Sequence, residues 1–142
     1  MIERIRISDC DEHTFKVLTA KACPYCGSDT VYVDSSVVYG KSYGMIYLCK
    51  PCDAWCGVHK GTADPLGRLA NAELRDKKKK AHAAFDPLWT RKMNQGVSKT
   101  VARKLAYAWL ASQMELDIKF CHIGLFDEGQ CEKVIELCAP YN

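Results

Sequence analysis

Two C-x-x-C elements constrain the fold of this 142-residue chain more than any other feature. The first joins Cys23 to Cys26, and the second joins Cys49 to Cys52 after 22 intervening residues. Each C-x-x-C turn directs two sulfur atoms toward one point, and a hairpin between the turns can bring the two pairs together as a tetrahedral four-thiolate site. The spacing therefore predicts one structural Zn²⁺ ion held by these four cysteines.

Two other interpretations of the cysteines stay open. Cys-Pro-Tyr-Cys is also the redox motif of glutaredoxins, but that chemistry needs a helix after the motif, and here Gly27-Ser28-Asp29 and strand-like residues follow. Cys56 and His59 follow the second element at short spacing, so they could replace one thiolate or form a second metal site. The sequence favours the four-cysteine set over both.

Composition and the N-terminal residues predict a cytoplasmic globular protein. Hydrophobic residues make up 48% of the chain and charged residues 26%, which excludes a wholly disordered chain. The first five residues, Met1 to Ile5, alternate charge with isoleucine and do not resemble a secretory signal. No stretch approaches the roughly 18 apolar residues of a membrane span, so no membrane partner is expected. In a reducing compartment, nine cysteines indicate metal binding and burial rather than disulfides.

The first half of the chain has a β pattern. Runs of β-branched and aromatic residues predict strands over 31–33, 37–39 and 45–48, with a further strand over 15–18. Turn residues separate the runs, among them the glycine-bounded loop 40–44. The first half therefore reads as a zinc-ribbon β module, which we expect to span residues 1–61.

The second half has a helical pattern. Asp64 before Pro65 predicts the start of a helix that ends near residue 84, before Asp86-Pro87. A second helix is predicted over 98–114, with five residues on one face: Val101, Leu105, Ala108, Trp109 and Ser112. Asp127 and Gln130 have capping-box spacing and predict a third helix through Cys138. The expected fold is α+β, with helices over 62–142 packed on the zinc ribbon in one compact unit.

Positive charge is concentrated in the middle of the chain. Residues 62–104 carry eleven Lys/Arg and four Asp/Glu, whereas residues 1–61 balance at zero. The run Lys77 to Lys80 could be only a solvated helix face. On a helix, however, several basic residues fall close together and predict contacts with nucleic-acid phosphates, and the candidates are Arg68, Arg75, Lys78, Lys79 and His82.

A metal-dependent nuclease is a weaker hypothesis. His59, Asn71 and His82 occur in the order of a His-Asn-His nuclease, which uses a histidine base, an orienting asparagine and a metal-binding histidine. Asn71 is predicted to lie inside the first helix rather than in a hairpin loop, and this position disfavours the assignment.

The sequence resembles the uncharacterised zinc-finger-containing domain family of bacterial and phage-derived proteins over residues 22–138. The matching motifs include Cys23-Pro24-Tyr25-Cys26-Gly27, Tyr39-Gly40-Lys41-Ser42-Tyr43-Gly44, His59-Lys60-Gly61-Thr62, Pro65-Leu66-Gly67-Arg68-Leu69-Ala70-Asn71 and Cys121-His122-Ile123-Gly124-Leu125-Phe126-Asp127. The resemblance implies a zinc-finger fold and a mobile-element setting, and it implies no reaction.

These observations lead to one preferred function and one main alternative. We expect a zinc-binding, non-catalytic nucleic-acid-binding protein of phage or mobile-element origin. The alternative is an adaptor or inhibitor that presents the zinc module as a rigid platform to a host protein.

Overall fold

A three-stranded antiparallel sheet with the order β1-β2-β3 organises the N-terminal half of the chain. Its strands are β1 (Val31–Asp34), β2 (Met45–Cys49) and β3 (Ala54–Gly57). The computed structural model describes residues 5–142, so Met1 to Arg4, which carry most of the signal-peptide argument, lie outside the described residues. Three longer helices follow the sheet, which confirms the predicted α+β class.

The central strand sets the register of the sheet. Leu48 of β2 pairs with Val31 on one side and with Trp55 on the other, and Cys49 pairs with Ala54. Side chains alternate across a strand, so Cys49 and Ala54 share a face. On that face a small core forms around five buried residues: Ala20, Cys23, Cys49, Ala54 and Leu69.

Two segments predicted as strands are short helices. Residues 15–18 belong to α1 (Glu12–Leu18), because the Asp11 side chain caps the helix by accepting a 2.8 Å hydrogen bond from the Thr14 N–H. Residues 37–39 belong to α2 (Ser36–Tyr39). Asp34 accepts a hydrogen bond from the Ser36 N–H, and Gly40 ends the turn at a φ of +73°. These local bonds override the β propensity of Val37 and Val38.

The predicted helix start at Asp64-Pro65 is also wrong. Leu66 N–H bonds to the Gly57 carbonyl at 3.0 Å, and Ala70 exchanges two backbone hydrogen bonds with Trp55. Residues 58–70 therefore return along the edge of β3, and their backbone groups are committed to that edge instead of a helical turn. The first long helix, α3 (Ala72–Asn94), begins seven residues after Pro65, the predicted first helical residue.

Helix α3 continues through the proline that was expected to end it. Pro87 lies inside the helix, and the helix stops only at Asn94. Proline removes one backbone donor, but its fixed φ is compatible with a helix. Phe85, which is fully buried, and Trp89, which is half-buried, anchor the turns on either side of Pro87. Burial of these rings offsets the lost hydrogen bond.

The other two long helices match their predicted positions. Helix α4 (Lys99–Met114) has Ser98 as its cap, and α5 (Glu128–Cys138) has the expected Asp127–Gln130 capping box. The predicted apolar face of α4 is wrong, because Val101 and Leu105 are about half exposed. The buried face carries Ala102, Ala106, Tyr107, Leu110 and Ala111.

The chain divides into two compact units, the first ending at Glu73 and the second spanning Leu74–Asn142. The core of the second unit includes Leu74, Ala81, Phe85, Leu110, Ile123, Phe126, Cys131, Val134 and Cys138. Within residues 5–142, no helix combines the length and apolar character needed to cross a bilayer.

Candidate metal centre

The first pair of cysteines lies on a tight turn. A bridge between Ala22 and Asp29 closes the turn, Cys23 N–H bonds to the Ser28 carbonyl at 2.9 Å, and Gly27 N–H bonds to the Cys23 carbonyl. Gly27 has a φ of +77°, a conformation that glycine adopts without strain. Tyr25 N–H lies 3.4 Å from the Cys23 Sγ, in position to donate to a thiolate. This is the backbone arrangement that holds both sulfurs on one side of the turn.

The second pair lies at the end of the β2–β3 hairpin. Cys49 is the last residue of β2, and Cys52 lies in the turn that leads to Ala54. Asp53 N–H closes the turn on the Lys50 carbonyl at 3.1 Å, and Asp53 has a φ of +51°. The hairpin that the spacing predicted is therefore the element that carries the second pair.

The two turns bring all four sulfurs together. The Sγ atoms of Cys23, Cys26, Cys49 and Cys52 all lie within 4.8 Å of one another. Cys26 Sγ and Cys49 Sγ are 3.6 Å apart, much farther than the roughly 2.05 Å of a disulfide. Tetrahedral zinc with Zn–S bonds of about 2.3 Å requires sulfurs roughly 3.8 Å apart. The donor set and its spacing therefore fit a structural zinc ion.

Residues 19–141 match a family model described as a zinc-finger-containing domain. The chain belongs to this family. The family and the four-thiol cluster together confirm the predicted zinc cofactor. No curated protein and no solved structure matches the chain.

The thiols of this zinc-finger domain differ in their environment. Cys23 and Cys49 are buried beside Ala54 and Leu69, whereas Cys26 is exposed. Hydrogen bonds from Ser28 lower the pKa of Cys26 to about 6, and the bond to Cys26 helps raise the pKa of Cys52 to about 12. These hydrogen bonds favour the thiolate form of Cys26 and the protonated form of Cys52. Zinc binds thiolates, so its binding would release the remaining thiol protons.

Cys56 and His59, the possible additional ligands, are not part of the four-cysteine group. Cys56 Sγ donates to the Gly67 carbonyl at 3.3 Å and packs against the same small core. His59 lies on the exposed return segment, where its carbonyl accepts from Thr62. Among residues 5–142, the four cysteines form the one group that could hold a metal.

The nuclease residues are spread over different elements. His59 lies on the return segment, Asn71 comes immediately before α3, and His82 lies on α3. The prediction that Asn71 lies inside a helix is therefore wrong by one residue. His82 Nδ1 lies 3.7 Å from Asp86 Oδ1, an i,i+4 pair on an exposed helix face.

The predicted phosphate-binding residues do not share one helix. Arg68 lies on the return segment of the first unit, whereas the other four candidates lie on α3. Lys79 and His82 are exposed, but Lys78 Nζ donates to the Gly124 carbonyl at 2.8 Å. Two other lysines of the run form ion pairs, Lys77 with Glu132 and Lys80 with Asp76.

Proposed function

We propose that this zinc-finger domain is a non-catalytic nucleic-acid-binding protein of phage or mobile-element origin. The supporting observation is the charge of α3 and the first part of α4. Residues 75–104 carry ten Lys/Arg and two Asp/Glu, whereas residues 105–142 carry two Lys/Arg and six Asp/Glu. The first part of the helical unit is thus strongly basic, which is the electrostatic feature expected of a protein that contacts phosphates.

The zinc site has a structural role in this proposal. All four of its positions are filled by thiolates, so no coordination position is left for water or substrate, as catalytic zinc requires. Zinc would hold together the β2–β3 hairpin and the Cys23–Cys26 turn, and the charge of the helical unit would provide the binding.

Fluorescence anisotropy with labelled single- and double-stranded DNA and RNA tests the proposal. We expect binding at 50 mM salt that weakens roughly 40-fold at 200 mM, the effect of about three phosphate contacts. Arg75→Gln with Lys79→Gln tests whether these two residues of α3 contact the phosphates. Absence of binding to every one of these nucleic acids at 50 mM salt would refute the proposed function.

An exposed aromatic loop supports the adaptor as a second candidate. Tyr39 and Tyr43 are 52% and 71% exposed, and their rings meet edge to face at 5.5 Å. Two hydrogen bonds hold the backbone of this loop, residues 40–44. The buried Ser35 accepts from the Tyr43 N–H at 2.7 Å and donates its own N–H to the Gly44 carbonyl. Exposed tyrosines on a fixed backbone are typical of protein-binding surfaces.

A pull-down with purified protein distinguishes the adaptor function from nucleic-acid binding. In a pull-down from nuclease-treated lysate, an adaptor should retain a partner that the Tyr43→Ser variant loses. If wild type and Tyr43→Ser capture the same proteins, the aromatic loop is not an adaptor surface.

A further inference from the structure

The connection between α3 and α4 is a short, capped turn. Gly96, with a φ of +95°, donates its N–H to the Met93 carbonyl, and Val97 N–H bonds to the Lys92 carbonyl at 3.1 Å. These two bonds form a Schellman motif, which terminates α3. Ser98 Oγ accepts from the Val101 N–H and begins α4. The turn therefore has a defined backbone on both sides.

Ring contacts show that the two helices run back along each other. Phe85 of α3 meets Tyr107 of α4 with ring centroids 4.6 Å apart, and one turn further along, Trp89 meets Arg103. As the α3 residue moves toward the turn, its α4 partner moves toward the turn as well. The residues between Trp89 and Arg103 thus lie together at one end of a helical hairpin.

Two cations lie near the ring of Trp89. Lys99 Nζ and Arg103 Cζ each lie 5.7 Å from the centroid of its ring, within the range of a cation–π interaction. The indole is itself fixed, because its Nε1–H donates to Asp86 Oδ1 at 3.0 Å. Two positive groups near one ring raise the local positive potential, which attracts an anion.

This end of the hairpin has no acid of its own. From Pro87 to Met114 the sequence contains five Lys/Arg and no Asp/Glu. Four of the five are exposed, and among residues 5–142 none of the five pairs with a carboxylate. The nearest carboxylate along α3, Asp86, already accepts from Trp89 and lies beside His82.

Three of the four lysines in the α3 run, in contrast, have partners. Lys77 Nζ lies 2.7 Å from Glu132 Oε1, which raises the pKa of Lys77, and Lys80 Nζ lies 3.0 Å from Asp76 Oδ2. A phosphate at the run would compete with these carboxylates and with the Gly124 carbonyl bound by Lys78. A phosphate at the end of the hairpin would displace no carboxylate from the five cations.

We propose that this end of the hairpin is where the protein binds the phosphate backbone of nucleic acid. We call it the hairpin tip and define it by Trp89, Arg91, Lys92, Lys99, Arg103 and Lys104. The inference rests on the proposed nucleic-acid binding and replaces the lysine run as its main contact. The cations contact phosphates, and Trp89 is a positioning residue for Lys99 and Arg103.

Nucleic acid fits the hairpin tip better than a membrane surface does. A helix that lies on a bilayer needs a continuous apolar face beside its basic residues. On α3 and α4, the exposed large apolar side chains are limited to Met93, Val101 and Leu105. These three residues lie in or beside the tip, but three side chains are too few for the continuous apolar face that binding along a bilayer needs.

Two double variants with the same chemical change test the location. Lys99→Gln with Lys104→Gln removes two lysines of the tip, and Lys79→Gln with Lys80→Gln removes two lysines of the run. We expect the tip variant to bind at least 10-fold more weakly at 50 mM salt and to lower the slope of log K against log salt by about 1 to 2. The run variant should stay within about threefold of wild type.

A third variant tests the role of Trp89. Trp89→Leu keeps an apolar side chain but removes the ring that the two cations contact, so we expect a loss of affinity of about 3- to 10-fold with an unchanged salt slope. Circular dichroism and thermal unfolding show whether each variant is folded. If Trp89→Leu does not fold, the two lysine double variants alone determine whether the hairpin tip is the binding site.

The outcomes distinguish the inference from the function on which it rests. If wild type binds and the run variant loses more affinity than the tip variant, the hairpin tip is wrong and nucleic-acid binding stands. If wild type binds no nucleic acid, both fail. Phosphatidylserine vesicles that bind wild type more tightly than any nucleic acid, with loss in the tip variant, would overturn the proposal in favour of a membrane surface.

Discussion

Cys26 Sγ lies 3.6 Å from Cys49 Sγ, although 22 residues separate the two cysteines. One sulfur belongs to the turn that follows Ala22, and the other belongs to the end of β2. The contact brings the end of β2 next to the Cys23–Cys26 turn. Zinc bound there would therefore act as a cross-link between segments whose apolar core is small.

Loss of one thiolate should abolish tight zinc binding. Cys49→Ser replaces a buried ligand with a hydroxyl that binds zinc poorly, so we expect at least about 100-fold weaker binding. Elemental analysis after dialysis against a weak chelator measures the retained metal. Wild type should hold one zinc ion per chain.

Cys56→Ser is the matched control. Cys56 Sγ donates to the Gly67 carbonyl, a contact that a serine hydroxyl can replace, so this variant should keep its zinc. Loss of zinc from Cys56→Ser, with retention in Cys49→Ser, would favour the alternative ligand set.

Patterns that depend on nearby residues were predictable from the sequence. The C-x-x-C spacing, the Ser98 cap and the Asp127–Gln130 capping box each act within four residues, and the structure contains all three features. The strands near 31–33 and 45–48 are also present, because their residues pair across one antiparallel register.

Features that depend on distant backbone bonds were not predictable. Asp64-Pro65 has the local form of a helix start, but Leu66 and Ala70 bond to β3, which the local pattern does not reveal. The contacts of Trp89 with Lys99 and Arg103 were not predictable for a related reason. With a helix ending before Pro87, Trp89 would not lie beside Lys99 and Arg103. A count of acidic residues could have found the tip, because Pro87 to Met114 contains none.

Removal of the Ser35 hydroxyl should loosen the aromatic loop. Ser35 is 1% exposed, and its Oγ accepts from the Tyr43 N–H. Ser35→Ala leaves that donor without its partner, which costs about 1 to 2 kcal/mol. Amide hydrogen exchange should show faster exchange at Tyr43, whereas Ser8→Ala, at an exposed serine, should leave it unchanged. Equal Tyr43 exchange in wild type and Ser35→Ala would contradict this account of the loop.

His122 should make the helical unit less stable in mild acid. Burial and the nearby Arg103 guanidinium lower the pKa of His122 to about 4, while its ring packs on Tyr107 at 4.9 Å. Between the unfolded pKa of about 6.5 and the folded pKa, the unfolded chain binds more protons, so stability falls as pH falls through this window. After allowance for partial solvent exposure, we expect a loss of about 1 to 2 kcal/mol between pH 7 and pH 4.5.

Comparison with His122→Gln isolates this effect from acid release of zinc. Zinc loss affects both proteins, whereas only wild type carries the titrating ring. Urea unfolding at pH 7, 6, 5 and 4.5 should therefore give a shallower pH dependence for His122→Gln. Parallel curves for the two proteins would show that His122 does not titrate in this window.

One glutamate should be more favourable as glycine. Glu115 ends α4 in the left-handed conformation, with a φ of 55°, and its N–H bonds to the last carbonyls of the helix. An L-residue is strained there, and a negative charge at a helix C-terminus is unfavourable. Glycine removes both penalties, and this gain exceeds the additional backbone entropy that glycine loses on folding. Glu115→Gly should therefore stabilise the protein by about 0.5 to 1 kcal/mol.

The same replacement at Glu136, an exposed residue within α5, is the control. It should destabilise the protein by about 1 kcal/mol, because glycine is unfavourable inside a helix. Calorimetric unfolding of the zinc-loaded variants measures the change in stability that each replacement causes. The two changes should have opposite signs. Changes of the same sign would show that backbone strain at Glu115 does not limit the stability of α4.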